Sequence, residues 1–235
     1  MTPGRLRSDA PHLLVMAKAP VAGAVKTRLC PPCSPEEAAA VAEAALADTL
    51  DAVAACGAGR KVVALDGDIG PWLPPGLDVV PQRGATFAAR LANAWTDTGG
   101  AGVQIGMDTP QVGPAELDAL LALLAGGTER RAVLAPAVDG GWWAIGLPAL
   151  AQGGHGAVFE GVAMSTPRTG QDQRRRLRRL GFEVVLAGLR RDIDTVADLV
   201  EVAAEIPTSR TSTVCGRLGP ARLQGHLEHI RATSP

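Results

Sequence analysis

Four short segments carry residue types that could do chemistry. In "MAKAPVAGAVKTRL" (residues 16–29), Lys18, Lys26 and Arg28 place three cations in one loop, Thr27 adds a hydroxyl, and Gly23 lets the backbone approach a ligand. Cations and backbone amides together suit a diphosphate. A solvated basic loop would have the same composition, and the pattern is neither a Walker A nor a GxGxxG loop. In "GMDTP" (106–110), Asp108 is a lone carboxylate at the end of an apolar run. A hard cation takes several oxygen ligands, so Asp108 either has a distant partner or serves an Asp-Thr-Pro turn.

In "VDGGWWAIGL" (138–147), Asp139-Gly140-Gly141 reads as a hairpin or crossover turn. The alternative is that the glycines bring backbone near a sugar or acceptor, with Asp139 as a polar contact. Trp142 and Trp143 are adjacent, so on a strand they face opposite sides, one toward the core and the other toward a pocket. In "RRDIDTVADL" (190–199), Asp192 and Asp194 point the same way if extended and could reach a metal held by Asp108. Mg²⁺ fits acids from two loops completed by phosphate oxygens. Thr195 and Asp198 also have helix-start spacing, so Asp194 could simply lead into a helix.

These segments need a frame to bring them together. Apolar, β-rich runs (12–17, 61–65, 78–82, 103–107, 131–138, 142–147 and 183–187) alternate with helical patterns along most of the chain. The longest helical pattern follows Ser34, with Pro35 at its first position and Glu37 at capping-box spacing. Strands that are apolar on both faces and alternate with helices specify an α/β fold around a mostly parallel sheet. Ligands of such sheets bind at the strands' carboxyl ends. The loops after Ala17, Gln82, Met107 and Val138 are therefore the candidates. The chain reads as one domain over residues 1–235, with a core at about 12–206 and a less regular extension at 207–235.

The bulk numbers narrow the classes. With 235 residues and a net charge of −1, nothing points to wholesale nucleic-acid or membrane-surface binding. No stretch approaches the apolar length of a membrane span or a signal peptide, so a cytoplasmic location is expected. Cys30 and Cys33 ("CPPC") have redox or half-zinc spacing but no second metal-ligand pair, and read as loop thiols. The helix pattern of "QRRRLRRLG" carries five arginines and reads as a solvated face, with Leu177 and Leu180 marking its buried side.

Taken in order, "MAKAPVAGAVKTRL", "QRGATFAARL", "GMDTP", "DGGWWAIGL", "FEGVAMSTPRT" and "DIDTVADL" resemble one bacterial family of GT-A-like nucleotide-diphospho-sugar transferases. It is often described as an uncharacterised domain family, with some members labelled as arsenosugar-biosynthesis-associated glycosyltransferases. It is distantly related to 2-phospho-L-lactate guanylyltransferase. The resemblance implies a GT-A-type, Rossmann-like three-layer α/β/α sandwich. It implies that Lys26 and Arg28 hold phosphates, and that Ala17, Lys18, Ala19, Gly23, Gln82, Gly84 and Arg90 belong to the nucleotide site. It also implies a metal, Mg²⁺ or Mn²⁺, on Asp108 and an acid of the DIDT segment, Asp194 in preference to Asp192. Two departures stand out: Thr86 occupies a position where the family pattern has an acid, and Trp142-Trp143 replaces a tyrosine-rich pair.

The expected function is a metal-dependent glycosyltransferase using a nucleotide-diphosphate sugar and a small-molecule acceptor, with Asp108, Asp139 and Lys26 as catalytic candidates. The alternatives are a nucleotidyltransferase acting on an NTP and an acidic acceptor, and a non-catalytic nucleotide-binding protein. Oligomeric state stays open, a homodimer being one option.

Overall fold

The computed structural model describes residues 10–151 and 154–233. In β1 (His12–Lys18), Leu13, Val15 and Ala17 join one buried cluster while Leu14 and Met16 join another. A strand that is apolar on both sides lies inside a sheet covered on both faces. β2 (Arg60–Asp66), β3 (Asp78–Pro81), β4 (Gly102–Ile105), β5 (Arg131–Pro136), β6 (Trp142–Leu147) and β7 (Glu183–Leu186) complete a seven-stranded sheet in the order β3-β2-β1-β4-β6-β5-β7. β6 runs antiparallel to β4 and β5, and every other pairing is parallel.

Helices α1 (Pro35–Ala55) and α3 (Pro114–Ala125) supply the first cluster. Helices α2 (Phe87–Thr98), α4 (Gly154–Phe159) and α5 (Thr169–Arg179) supply the second, on the opposite face. The result is the expected three-layer α/β/α sandwich. A third cluster joins the outer side of α1 (Val41, Ala45) to α6 (Val196–Glu205), α7 (Arg210–Arg217) and α8 (Pro220–Thr233). Cys33 is buried in it, and burial pushes its thiol up.

The segment 207–235, expected to be less regular, contains these two helices. What fixes them is tertiary. Thr211 donates through its backbone N and its Oγ1 to Asp48 Oδ2 on α1 (2.9 and 2.7 Å), and Arg210 bridges Asp48 and Asp51. The capping box of α1 forms as its spacing indicates, with Ser34 accepting from the Glu37 backbone and Glu37 Oε2 accepting from the Ser34 N–H at 2.8 Å. On α5, Gln173 and Leu177 are fully buried and Arg176 donates to the Ala157 carbonyl. No helix among the described residues is long and apolar enough to cross a membrane.

Candidate active site at the carboxyl edge of the sheet

β2 lies on one side of β1 and β4 on the other, so the chain reverses its direction of winding between β1 and β4. Such a switch point opens a crevice at the carboxyl ends of the strands. A cavity of about 750 Å³ is found there. Its wall includes Ala17 and Lys18 from β1, Asp66 at the end of β2, Gln82 after β3, Arg90 on α2 and Asp108 after β4. Asp139, Trp142, Trp143, Asp192 and Asp194 line the other side. All four candidate loops thus converge.

Lys26 is the centre of the charge arrangement. It sits in the left-handed region (φ 47°, ψ 35°) before the short turn Thr27–Leu29, a conformation that costs on the order of 1 kcal/mol or more for a non-glycine residue. That bend carries the side chain inward, where it is only 8% exposed. Its Nζ lies 2.8 Å from Asp108 Oδ2 and 3.5 Å from Asp194 Oδ1, and donates to the Ile193 carbonyl. Burial alone would lower its pKa. Asp108, Asp194 and Asp192 outweigh burial and hold the ammonium above its usual range. Arg28 Nη1 reaches Asp194 Oδ2 at 3.2 Å from the solvent side.

Asp194 is positioned by local structure. Thr195 caps α6, and Asp198 Oδ2 accepts from the N–H of Thr195 and of Asp194 (2.8 and 3.3 Å). The helix start thus forms at Thr195, and Asp194 and Asp108 both contact Lys26. The Ile193 N–H donates to the Asp108 carbonyl at 3.0 Å, which ties the two acid loops together. Asp192 lies beside them. Burial, and then the carboxylates of Asp108, Asp139 and Asp194, push it up to about 8 against the pull of Lys26.

Among the described residues, two buried carboxylate oxygens, Asp108 Oδ1 and Asp192 Oδ1, have no hydrogen-bond partner. Buried oxygens of this kind call for a cation or a donor. Among the described residues, no three His, Cys, Asp or Glu side chains converge as a ready-made metal site. Two carboxylates completed by substrate phosphates remain a fitting donor set for a hard divalent ion.

The other sequence candidates separate into cavity and scaffold. Lys18 lines the cavity and donates through Nζ to the Ala24 carbonyl at 3.1 Å. Gln82 also lines it, but its Nε2 is spent on the carbonyls of Ala17 and Ala64 (2.8 and 2.9 Å), clamping neighbouring strands. Arg90 pairs with Asp66 at 2.8 Å. Ala19, Gly23 and Gly84 line neither this cavity nor the smaller one beside Lys26. Ala19 is buried, and its N–H bonds the Asp66 carbonyl. Thr86, at the position of the missing acid, caps α2 by accepting from the Ala89 N–H at 3.2 Å.

The turn at Asp139-Gly140-Gly141 is a hairpin between β5 and β6. Its glycines approach the chain itself. A Cβ on Gly140 would stand 2.1 Å from the Pro167 carbonyl oxygen, and one on Gly170 would stand 2.4 Å from that of Gly141. The Asp139 Oδ1 accepts from the Gly141 N–H at 2.8 Å, so this acid shapes the turn as well as facing the cavity. Trp143 is core, with its Nε1 donating to the Gly188 carbonyl at 2.9 Å, and Trp142 is half-buried. Sequence reasoning missed Asp66, and gave no site role to Phe87 or residues 164–167, which lie in quoted motifs and line the cavity. For Asp66 the signal was present, an acid closing a strand at its carboxyl end.

A family model described as "Uncharacterized protein conserved in bacteria (DUF2064)" matches residues 39–166. The chain belongs to this family. It is 32% identical over 208 residues to the phosphoenolpyruvate guanylyltransferase of Salinispora arenicola (strain CNS-205), covering 84% of this chain and 91% of that protein. Its fold is shared with a provisionally named nucleotide-diphospho-sugar transferase from Desulfovibrio desulfuricans G20 (TM-score 0.79, 24% identity, 93% of this chain and 98% of that one). It is shared more loosely with a nucleotidyl transferase from Methanothermobacter thermautotroptrophicus (TM-score 0.56, 13% identity, 86% of this chain and 100% of that one). For this family member, fold and relative together support group transfer of the nucleotidyl or glycosyl kind.

Proposed function

We propose that the protein transfers a sugar from a nucleotide-diphosphate sugar to a small-molecule acceptor, assisted by Mg²⁺ or Mn²⁺. The observation that carries this reading is the convergence of Lys26, Asp108 and Asp194 at the switch point, beside two unpartnered carboxylate oxygens. Asp108 and Asp194 would hold the ion, with Asp192 adjacent. When bound, the ion would supply Lewis-acid charge to the leaving diphosphate. Lys26, released from the acids by the incoming cation, and Arg28 would neutralise the phosphates. Lys18 and Arg90 would border the nucleotide, with Phe87 available for stacking. The acceptor oxygen bonds to the anomeric carbon as the bond to the diphosphate breaks, the electron pair leaving with the diphosphate. The acceptor proton would pass to a carboxylate, and Asp139, which lines the far wall, is our candidate.

Nucleotidyl transfer is the second reading, favoured by the guanylyltransferase relative. In that case Lys26 and Arg28 would contact the β- and γ-phosphates of an NTP. Product analysis with Mg²⁺ or Mn²⁺ separates the two. Nucleoside diphosphate released from a sugar nucleotide supports the first. Pyrophosphate released from an NTP in the presence of an acidic acceptor sinks it in favour of the second.

A further inference from the structure

The cavity's cations are confined to one wall, where Asp66 pairs with Arg90 and Asp108 with Lys26. Among the described residues that line it, the cations Lys18, Arg28 and Arg90 all stand on the side built by β1, its loop and α2. The opposite side is built by β6, residues 164–169 and the approach to α6. Its acidic members are Asp139 and Asp192, with Asp194 at the boundary facing Lys26 and Arg28. The remainder of that side is apolar or hydroxylic. Trp142 is half-buried, with its ring packed on Phe159 at 6.4 Å, and Met164, Ser165 and Thr166 continue the surface. Ser165 is exposed and held in the left-handed region (φ 58°), a conformation that recurs where backbone faces a ligand.

We propose that this second wall receives a neutral, hydroxyl-bearing acceptor, a polyol or sugar, and disfavours acceptors carrying a phosphate or carboxylate. The inference rests on the transferase reading above and adds the acceptor's chemical class. Hydroxyls donate to carboxylates, and the C–H faces of a polyol lie flat on an indole. A phosphate or carboxylate in the same place would meet Asp139 with every lining cation across the cavity. Like charges in a partly enclosed site cost far more than in water. The phosphoenolpyruvate named for the guanylyltransferase relative is thus the contrasting case.

Saturation-transfer difference NMR on the full chain with Mg²⁺ tests this with paired probes: glycerol against glycerol 3-phosphate, and glucose against glucose 6-phosphate. The neutral member of each pair is expected to bind about tenfold more tightly or better. Ser165→Arg, which adds a cation at an exposed position on that wall, is expected to narrow or invert the ratio. Tighter binding of the phosphorylated members, binding of neither member, or a ratio unmoved by Ser165→Arg overturns the inference. Its failure is distinguishable from failure of the transferase reading by the mass of the product. Glycosyl transfer to a phosphorylated acceptor sinks this inference alone, whereas nucleotidyl transfer to a neutral hydroxyl sinks only the glycosyl reading.

Discussion

At the amino end of the sheet, His12 is 3% exposed, and its imidazole lies edge-on to Trp95 at 5.1 Å, while His155 stacks on the same indole at 5.4 Å. At the carboxyl end, Lys26 is as deeply placed but lies against two carboxylates. Both ends remove titratable groups from water. At the amino end burial pushes His12 down to about 4 and lowers His155, so the rings stay neutral and pack. At the carboxyl end opposite charges are retained. Among the described residues, both ends leave buried polar atoms without partners, His12 Nε2 and His155 Nε2 at one and Asp108 Oδ1 and Asp192 Oδ1 at the other. Only the carboxylates stand beside a cavity of ligand size. Open volume and uncompensated oxygens beside a buried charge are what set the candidate site apart from the packed histidines.

The contrast can be broken by substitution. Trp95→Ala removes one of the largest fully buried side chains, whose Nε1 donates to Gln104 Oε1 at 2.7 Å. It should cost about 3–5 kcal/mol of stability by urea denaturation while leaving nucleotide affinity of the folded protein unchanged. A loss of affinity at matched folded fraction would show the two ends to be coupled. Lys26→Met should instead lower turnover by about 10²–10³-fold, the usual cost of removing a group that stabilises developing charge. It should also tighten Mn²⁺ binding in the absence of nucleotide, because the competing ammonium is gone. Weaker metal binding in calorimetry would contradict that.

Acid probes the amino end. Below pH 6.5 the unfolded chain protonates His12 while the folded chain resists until about pH 4. The unfolded state then binds more protons, so stability falls as pH drops through that window, by roughly 3 kcal/mol at its lower end. Replacing His12 with Gln should flatten the dependence measured by denaturant midpoints between pH 7 and 4. Arg90→Ala is the mildest change. It should weaken nucleotide binding by about tenfold, since one charged contact at a half-exposed site is worth on the order of 1 kcal/mol. The ion pair with Asp66 contributes little at that exposure.

Local patterns revealed what local physics determines. The capping box at Ser34 and Glu37, the limits of β6 and the two-sided apolar strands were legible because periodicity and cap chemistry lie within a few residues. The antiparallel course of β6 and helices α7 and α8 depend on distant partners such as Asp48, and no local pattern announces them. In the site, the ordered motifs pointed to Asp108 and Asp194, which both contact Lys26, whereas the left-handed bend that turns Lys26 between them carries no sequence signal. The glycines of Asp139-Gly140-Gly141 invited a ligand reading. Their neighbours turn out to be Pro167 and Gly170, contacts made across a long sequence separation.

The central claim is that Asp108 and Asp194 bind a divalent ion jointly with a nucleotide diphosphate. Calorimetric titration of UDP-glucose and GDP-mannose, with and without Mn²⁺, into the wild type and Asp108→Asn tests it most directly. The account predicts that Mn²⁺ strengthens binding of at least one of these nucleotides to the wild type, and that this coupling disappears in Asp108→Asn. Coupling of equal size in the variant, or none in the wild type, would contradict it.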